Sequence, residues 1–172
     1  MHRAMLGALA AATLSAADTK PNSATHVPNS DLQATLKKAP ENSVTDQQIR
    51  VVDVGKANVA VGVVYRSAKA QQNAVEHDQV TEIYHIIDGS GTLVTGGELV
   101  NPKRRGADEP VVKELNGPSI GGSALKGGES RRVGPGDVVV IPAGLGHWFS
   151  SVDGTLRYLI VRVDVDKVLP HK

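Results

Sequence analysis

The feature that most constrains the fold of this chain is a succession of short, valine-rich segments separated by turn residues. Glycine, proline, asparagine or aspartate bounds most of these segments, and no helical periodicity lies between them. Short runs rich in β-branched residues are typical of strands, so the pattern predicts an all-β sandwich or barrel and argues against a doubly wound sheet. The predicted strands are 49–54, 59–66, 81–88, 92–95, 129–133, 138–142, 147–151 and 157–165.

One stretch interrupts this rhythm, because residues 96–128 combine basic pairs, proline and many glycines. Within it, only residues 111–115 resemble a strand. We expect an excursion loop or an extra hairpin here, and long loops on rigid scaffolds often cover functional sites.

The first 17 residues carry a different signal. A short basic start at His2 and Arg3 precedes a run rich in Ala and Leu, and small residues lead up to Asp18. This is the order of parts in a secretory signal peptide, although an amphipathic start helix or an unprocessed tail is an alternative. We expect an exported protein, periplasmic or secreted, whose mature chain begins near Asp18.

The region between this segment and the first strand is predicted as a linker and a short helix over residues 18–48, followed by the barrel over 49–166. Pro, Asn, Ser and Thr dominate the linker, which is typical of a tether. We expect the helix to pack against the outside of the barrel. Ser30 or Asp31 is the predicted N-cap of this helix, Leu32 and Leu36 form its apolar face, and Pro40 ends it.

Charge and cysteine content narrow the function classes of this chain, whose length suits one compact domain. Its 172 residues include 19 Lys and Arg against 18 Asp and Glu, and this balance lacks the basic stripe that nucleic-acid binding needs. No run reaches the roughly 18 apolar residues of a membrane span, so we expect no membrane association after processing. Because there is no Cys, any metal must be held by His and carboxylate side chains.

Two segments have polar residues near the ends of predicted strands. Alternation along the first places Glu82 and Tyr84 on one face of the strand and His85 on the other. A carboxylate on an inward face needs a cation or a hydrogen-bond donor, because burying it alone would be very costly. The spaced positions are His77, Glu82 and Gly89 in the first segment and Gly136, Pro142, Gly144 and His147 in the second.

These positions resemble the two signature motifs of the cupin superfamily, which consists of small double-stranded β-helix, or jelly-roll, barrels. The first motif has the form G-x5-H-x-H-x(3,4)-E-x6-G, and the chain matches its later half; the second has the form G-x5-P-x-G-x2-H-x3-N. The resemblance implies a cupin jelly-roll barrel with a short N-terminal helix added. The chain departs from the motifs at Lys69, Val75 and Ser151, where they have Gly, His and Asn.

Cupins usually hold a metal with three His and one Glu, so the resemblance implies His77, Glu82 and His147 as ligands, with one ligand missing at Val75. Two imidazoles and one carboxylate suit a divalent ion such as Fe(II), Mn(II), Ni(II), Cu(II) or Zn(II) and leave positions for water, oxygen or substrate. The alternative is a metal-free barrel in which both His are hydrogen-bonded interior residues. Glu82 argues against it, because such a barrel would be more stable without the carboxylate.

Tyr84 is the candidate catalytic residue, because it lies two residues beyond Glu82 on the predicted inward face. A phenol beside a divalent cation can act as a base or donate to bound substrate, while an aromatic wall residue is the alternative. By the same alternation, His85 is expected on the outer face.

Four further residues stand out in the predicted strands. Phe149 shares the face of His147 and Trp148 turns outward, which indicates a pocket mouth, core packing or a dimer contact. Arg66 and Arg162 lie in otherwise apolar strands, where either could bind a substrate carboxylate or face solvent from an edge strand. The arginine pairs at 104–105 and 131–132 are interpreted as solvated charges.

Together these features predict a metal-dependent enzyme that acts on a small-molecule substrate inside the barrel. A non-haem Fe(II) dioxygenase is the first interpretation, because two His and one carboxylate resemble the facial triad of such enzymes. The alternatives are a lyase or isomerase that uses the metal as a Lewis acid, and a non-catalytic module that binds a sugar or another small metabolite. The resemblance also implies a possible homodimer formed through outer strands.

Overall fold

The computed structural model describes residues 23–170, so the predicted signal segment at 1–17 lies outside the described residues. Antiparallel strands dominate, and the predicted all-β jelly-roll barrel with a short N-terminal helix is confirmed. No helix in the described range is long and apolar enough to span a membrane. In chain order the elements are α1 (Asn29–Lys37), β1 (Val44–Asp53), β2 (Asn58–Ser67), β3 (Ala74–His77), β4 (Val80–Thr95), β5 (Glu98–Val100), β6 (Lys103–Arg104), a π-helical turn (Val112–Asn116), β7 (Ser119–Gly122), β8 (Ala124–Lys126), β9 (Glu129–Val133), β10 (Val138–Ile141) and β11 (His147–Asp164).

Two long strands organise the barrel, because β4 and β11 pair along their whole lengths, from Thr95 opposite His147 to Val80 opposite Asp164. β2 and then β1 continue the sheet beyond β11, and β10 and β9 both pair with β4. At its beginning, β11 also pairs with β3 through His147 and Val75. The three strands that carry the spaced His and Glu positions are therefore direct neighbours.

β4 and β11 are longer than the sequence predicts. β4 joins the predicted strands 81–88 and 92–95, and β11 joins 147–151 and 157–165. Gly89 lies in the middle of β4 with φ of 78°, and a Cβ there would lie 1.9 Å from the carbonyl oxygen of Thr155. Only glycine permits this approach, so the turn signals mark bends within continuous strands.

The N-terminal helix packs on the outside of the barrel as predicted, with Leu36 buried against Val63 and Tyr65. Its predicted caps are wrong. The helix begins at Asn29 with Pro28 at the N-cap position and no side-chain cap, so Ser30 and Asp31 lie within the first turn. Asp31 still favours this end, since a carboxylate in the first turn interacts well with the helix dipole.

Residues 111–115, the part of the excursion that resembles a strand, lie largely in a π-helical turn instead. The Glu109 carbonyl accepts hydrogen bonds from the amides of Val112 and Lys113, and the Glu109 carboxylate accepts one from the Gly106 amide. Pro110 suits the first turn of a helix because it needs no amide partner there. These local hydrogen bonds outweigh the strand preference of the valines.

The apolar core fills one half of the barrel interior. Each member lies on the inward face of a long strand or a neighbour, and all are buried: Val64, Tyr84, Ile86, Leu93, Val133, Ile141, Phe149, Val152, Leu156, Tyr158 and Ile160. β1 begins at Val44 rather than at residue 49, which adds Asp46 to the inner end of the barrel. The division into 18–48 and 49–166 stays a prediction.

Candidate metal centre

Three strands bring the predicted ligands together. Glu82 is a buried residue near the start of β4, His77 is the last residue of β3, and His147 is the first residue of β11. The Nε2 atom of His77 lies 3.3 Å from Oε1 of Glu82, and Nε2 of His147 lies 3.3 Å from Oε2 of Glu82. All three side chains are buried, and one ligand atom from each lies within 4.8 Å of the others. The geometry suits a single cation held between them.

A tight connection ahead of β11 fixes the two histidines relative to each other. The amide of Gly144, which has φ of 76°, donates to the carbonyl of His77 at 2.7 Å. Nδ1 of His147 lies 3.1 Å from the carbonyl of Leu145. A carbonyl can only accept, so Nδ1 of His147 carries the proton. The second motif thus positions a ligand from the first as well as its own.

This tautomer tests whether the residues fit a metal. In the neutral form with the proton on Nδ1, the Nε2 atom of His147 presents a lone pair to the lone pairs of the Glu82 carboxylate. Two lone pairs at 3.3 Å repel unless a proton or a metal ion lies between them. A histidine that donates Nδ1 to a carbonyl while Nε2 binds metal is the usual outer-shell arrangement. The donor set and its orientation therefore fit a divalent ion.

The electrostatics favour the metal-binding forms of Glu82 and His77. Burial alone would raise the pKa of Glu82, but His77 and Arg162 hold that pKa well below its ordinary range. Burial lowers the pKa of His77 despite the neighbouring carboxylate. An ionised carboxylate and a neutral imidazole are the forms that bind metal ions.

Tyr84 lies where the alternation predicts, with its hydroxyl donating to Oε2 of Glu82 at 2.7 Å. Burial, followed by the negative charge of Glu82, raises the pKa of Tyr84 well above its ordinary value. The phenol is therefore protonated in this arrangement, and it orients the carboxylate. Its part in catalysis stays a prediction.

The remaining predicted orientations can be compared with the structure. His85 is exposed on the outer face, which confirms the prediction. Phe149 is buried in the core, and Trp148 is half-buried with its indole nitrogen donating to the carbonyl of Gln72 at 2.9 Å. Val75 lines the same pocket as His77, where the missing motif histidine would stand.

Arg162 is the main residue of the site whose role the sequence does not reveal. It is 1% exposed, its Nε donates to Oε1 of Glu82 at 2.9 Å, and its other nitrogens bind the carboxylate of Asp46. The solvent-facing alternative for Arg162 is wrong, because β11 is an interior strand of the sheet. One signal was present: Arg162 and Glu82 both interrupt apolar strands, and the register pairs them directly.

A pocket of about 420 Å³ opens above these residues. Arg66 lines it from β2, and the excursion contributes part of its wall, as predicted for a loop that covers a site. The excursion residues in the lining are Arg105, Val111, Leu115 and Asn116. Arg105 is only half-buried as a residue, but its Nε atom is buried, so this member of the pair at 104–105 is not simply a solvated charge.

Comparison with known proteins defines the class. The family model described as Cupin matches residues 37–167, and the chain belongs to this family. No match was found among curated proteins. Two observations therefore support the metal-binding interpretation of His77, Glu82 and His147: the chain belongs to the family that its motifs resemble, and the three side chains lie close together.

Solved structures align with this chain at low sequence identity. Ectoine synthase from P. lautus aligns with a TM-score of 0.50 and 11% identity, over 81% of this chain and 77% of that one. DMSP lyase DddQ from Ruegeria pomeroyi aligns at 0.45 and 20% identity over 72% of this chain, but over only 48% of DddQ, about half of its length. The EutQ protein of Clostridium difficile aligns at 0.43 and 16% identity, over 83% and 82% of the two chains.

Proposed function

We propose that this cupin is a metal-dependent enzyme that acts on a small organic molecule in the pocket, and that its activity is that of a non-haem Fe(II) dioxygenase. The observation that carries the proposal is the orientation of His147. Its Nδ1 proton is committed to the Leu145 carbonyl, which leaves Nε2 free to bind an ion beside Glu82. Two His and one carboxylate on one side of an ion are the ligand set that such oxygenases use.

Each residue of the site has a part in this proposal. His77, Glu82 and His147 would hold the ion, which supplies Lewis acidity and, as Fe(II), redox chemistry with oxygen. Arg162 holds Glu82 in place and keeps it ionised. Tyr84 donates to the other carboxylate oxygen and limits how that oxygen can turn. The surrounding barrel buries the side chains of these groups.

A lyase or isomerase is the second candidate, with Mn(II), Ni(II) or Zn(II) as the ion. The observation that favours it is the buried hydroxyl of Tyr84, which donates its proton to the proposed metal ligand Glu82. A positioned phenol can give a proton to, or accept one from, a polarised substrate. Such a reaction needs no oxygen, and this separates the two candidates.

Oxygen consumption tests the proposal. Protein loaded with Fe(II) is assayed on a panel of small phenols, diketones and organic acids, in air and under anaerobic conditions. The dioxygenase proposal predicts oxygen uptake stoichiometric with product, lost in His147→Ala and retained in His85→Ala, whose histidine lies on the outer face. Turnover without oxygen would favour the lyase or isomerase. Absence of turnover with every metal and substrate would favour a non-catalytic binding module.

Two further proposals concern the setting of the protein. We propose export, supported by the order of residues in 1–17, and mass spectrometry of the protein from its own host should find a chain that starts near Asp18. We also propose a homodimer, supported by Val138 and Val140, which are 62% and 59% exposed on β10. Light scattering should give twice the chain mass, and a monomer would contradict the homodimer. An intact Met1 would contradict export.

A further inference from the structure

The pocket contains an arginine that lacks an acidic partner. Nε of Arg66 donates to the hydroxyl of Tyr158 at 3.0 Å, and Nη1 donates to Oε1 of Gln72 at 3.1 Å. The guanidinium lies 5.0 Å from the ring centroid of Phe149. Within residues 23–170, no carboxylate forms an ion pair with Arg66. Its charge is held in place by neutral groups, with Nη2 left for a ligand.

Arg162 shows what a neutralised arginine looks like in the same barrel. Its guanidinium binds both Glu82 and Asp46, so neither carboxylate is left for Arg66. Arg66 is half-buried, and a guanidinium withdrawn from water without an anion is costly, so such groups usually pair with a carboxylate. The difference between the two arginines therefore indicates that the partner of Arg66 comes from outside the chain.

A second arginine lines the pocket from the excursion. Nε of Arg105 is buried and has no hydrogen-bond partner among the described residues. Its neighbour Arg104 is 55% exposed and pairs with Asp78 at the surface. A buried N–H without an acceptor, on a side chain that lines the pocket, is a group whose missing partner a bound ligand can supply.

The charges around the pocket set the chemistry of this ligand. Arg66 and Arg105 line the pocket together with Glu82 and Asp46. Arg162, which does not line it, pairs with both carboxylates, so the five side chains together carry one positive charge in excess before any divalent ion is counted. A volume of about 420 Å³ is within the range of pockets for small ligands. An anion of small size would balance the charge and fill the space.

We infer that the pocket binds a small organic carboxylate through Arg66 and Arg105, with the rest of the molecule directed to His77, Glu82 and His147. The inference deepens the proposed function and rests on it for the reaction, because it names the substrate as an organic acid. Planar guanidinium groups match the two oxygens of a carboxylate. The binding step itself depends only on the two arginines.

Calorimetric titration tests the inference with propionate, succinate and citrate as probes and neutral succinamide as the matched control. We expect at least one carboxylate to bind and succinamide not to bind. Arg66→Gln and Arg105→Gln should each weaken binding by about tenfold or more, as expected for a lost charge-assisted hydrogen bond. Arg104→Gln and Arg157→Gln, which remove exposed arginines paired with Asp78 and Asp88, should leave the affinity unchanged.

Two comparisons make the result decisive. Arg105 lies on the excursion and its substitution leaves the barrel core untouched, so Arg105→Gln remains informative if Arg66→Gln fails to fold. Titrations are repeated after treatment with EDTA, and metal content is measured in each variant. Arginine-dependent binding in a protein that never acquires metal would support the carboxylate subsite while contradicting the proposed metal-dependent function.

Three results would overturn the inference. Binding of succinamide as tightly as succinate would show that charge is not recognised. Equal carboxylate affinity in wild type and in both Arg66→Gln and Arg105→Gln would show that other residues bind the anion. Binding of inorganic phosphate with no binding of any carboxylate would show that the class of anion is wrong, even where metal content and turnover are normal.

Discussion

The inward faces of β4 and β11 form two regions that are equally buried and chemically opposite. In the polar layer, made of His77, Glu82, His147 and Arg162, every member is at most 4% exposed and contacts a polar partner or a charge. In the apolar layer, made of the buried core residues from Ile86 to Ile160, side chains such as Leu93 and Leu156 are 0% exposed. Both layers include neighbouring pairs of β4 and β11, such as Glu82 with Arg162 in the polar layer and Ile86 with Tyr158 in the apolar layer.

The contrast separates the residues that stabilise the barrel from those that we propose bind the metal and the ligand. Burial of the apolar layer stabilises the fold without directional requirements. The polar layer contributes little net stability, because desolvation of Glu82 and Arg162 offsets their attraction, and an apolar replacement of such a pair is often neutral or stabilising. A chain under no demand except folding would not need these charges, so we interpret them as serving the ligand and the metal.

The largest expected effect comes from removing the carboxylate of the polar layer while its arginine remains. Glu82→Ala removes one of the two carboxylate partners of Arg162 and leaves the Nε of Arg162 and the hydroxyl of Tyr84 without their acceptor, which should lower the free energy of unfolding by about 3–5 kcal/mol. Urea denaturation measures the loss. The double variant Glu82→Leu with Arg162→Met should recover most of the stability while binding no metal. A Glu82→Ala protein as stable as wild type would contradict the ion-pair account.

A cavity in the apolar layer should cost somewhat less stability and spare the site. Leu156→Ala empties a position that is 0% exposed, so the free energy of unfolding should fall by roughly 2–5 kcal/mol. The folded fraction should hold as much metal as wild type, measured by elemental analysis after removal of unfolded protein. If metal content falls together with stability, the two layers are not independent.

Adding the missing ligand should sharpen the polar layer with little effect on the fold. Val75 lines the pocket and pairs with His147 in the sheet, so Val75→His places a third imidazole beside the candidate ligands. Metal affinity should rise by at least about tenfold, the lower end of what even an outer-shell partner contributes. Competition with a chromogenic chelator measures the affinity.

Unchanged metal affinity in Val75→His would mean that this side chain does not reach the ion. In that case Glu76→Ala or Asp78→Ala should reduce metal binding. Neither residue lines the pocket, and Asp78 pairs with Arg104, so we expect both of these variants to bind metal as wild type does.

The smallest effect is expected on the outer face of the barrel. Val140 is 59% exposed on β10, and Val140→Thr should change the free energy of unfolding of the monomer by no more than about 0.5 kcal/mol. Metal content should be unchanged. An additional loss that depends on protein concentration would support the proposed homodimer, in which Val140 lies at the interface.

Local patterns predicted much of the site, and long-range pairing explains what they missed. Strand alternation placed Glu82, Tyr84 and His85 on their correct faces, because this period depends only on the backbone. The contact of Arg162 with Glu82 depends on the register between β4 and β11, which is set by irregularities after Phe149 and Val152. Register of this kind cannot be read from either strand alone.

Two other misses have similar causes. Asp46 went unnoticed because β1 begins in a polar stretch that lacks the valine-rich pattern of the other strands. The π-helical turn at 112–116 resembles a strand in sequence because its valines outweigh the helix-starting signal of Pro110. In both places the structure is decided by hydrogen bonds and neighbours rather than by the composition of the segment.

Metal content of the protein purified without added metal tests the central claim most directly. Mass spectrometric elemental analysis should find roughly one divalent ion per chain in wild type. The His85→Ala control, which alters an exposed histidine on the outer face, should contain the same amount. His147→Ala should lose the ion while its circular dichroism remains that of the folded barrel. Equal metal content in His147→Ala and wild type, or no metal in wild type even after reconstitution, would contradict the assignment of His77, Glu82 and His147 as the metal centre.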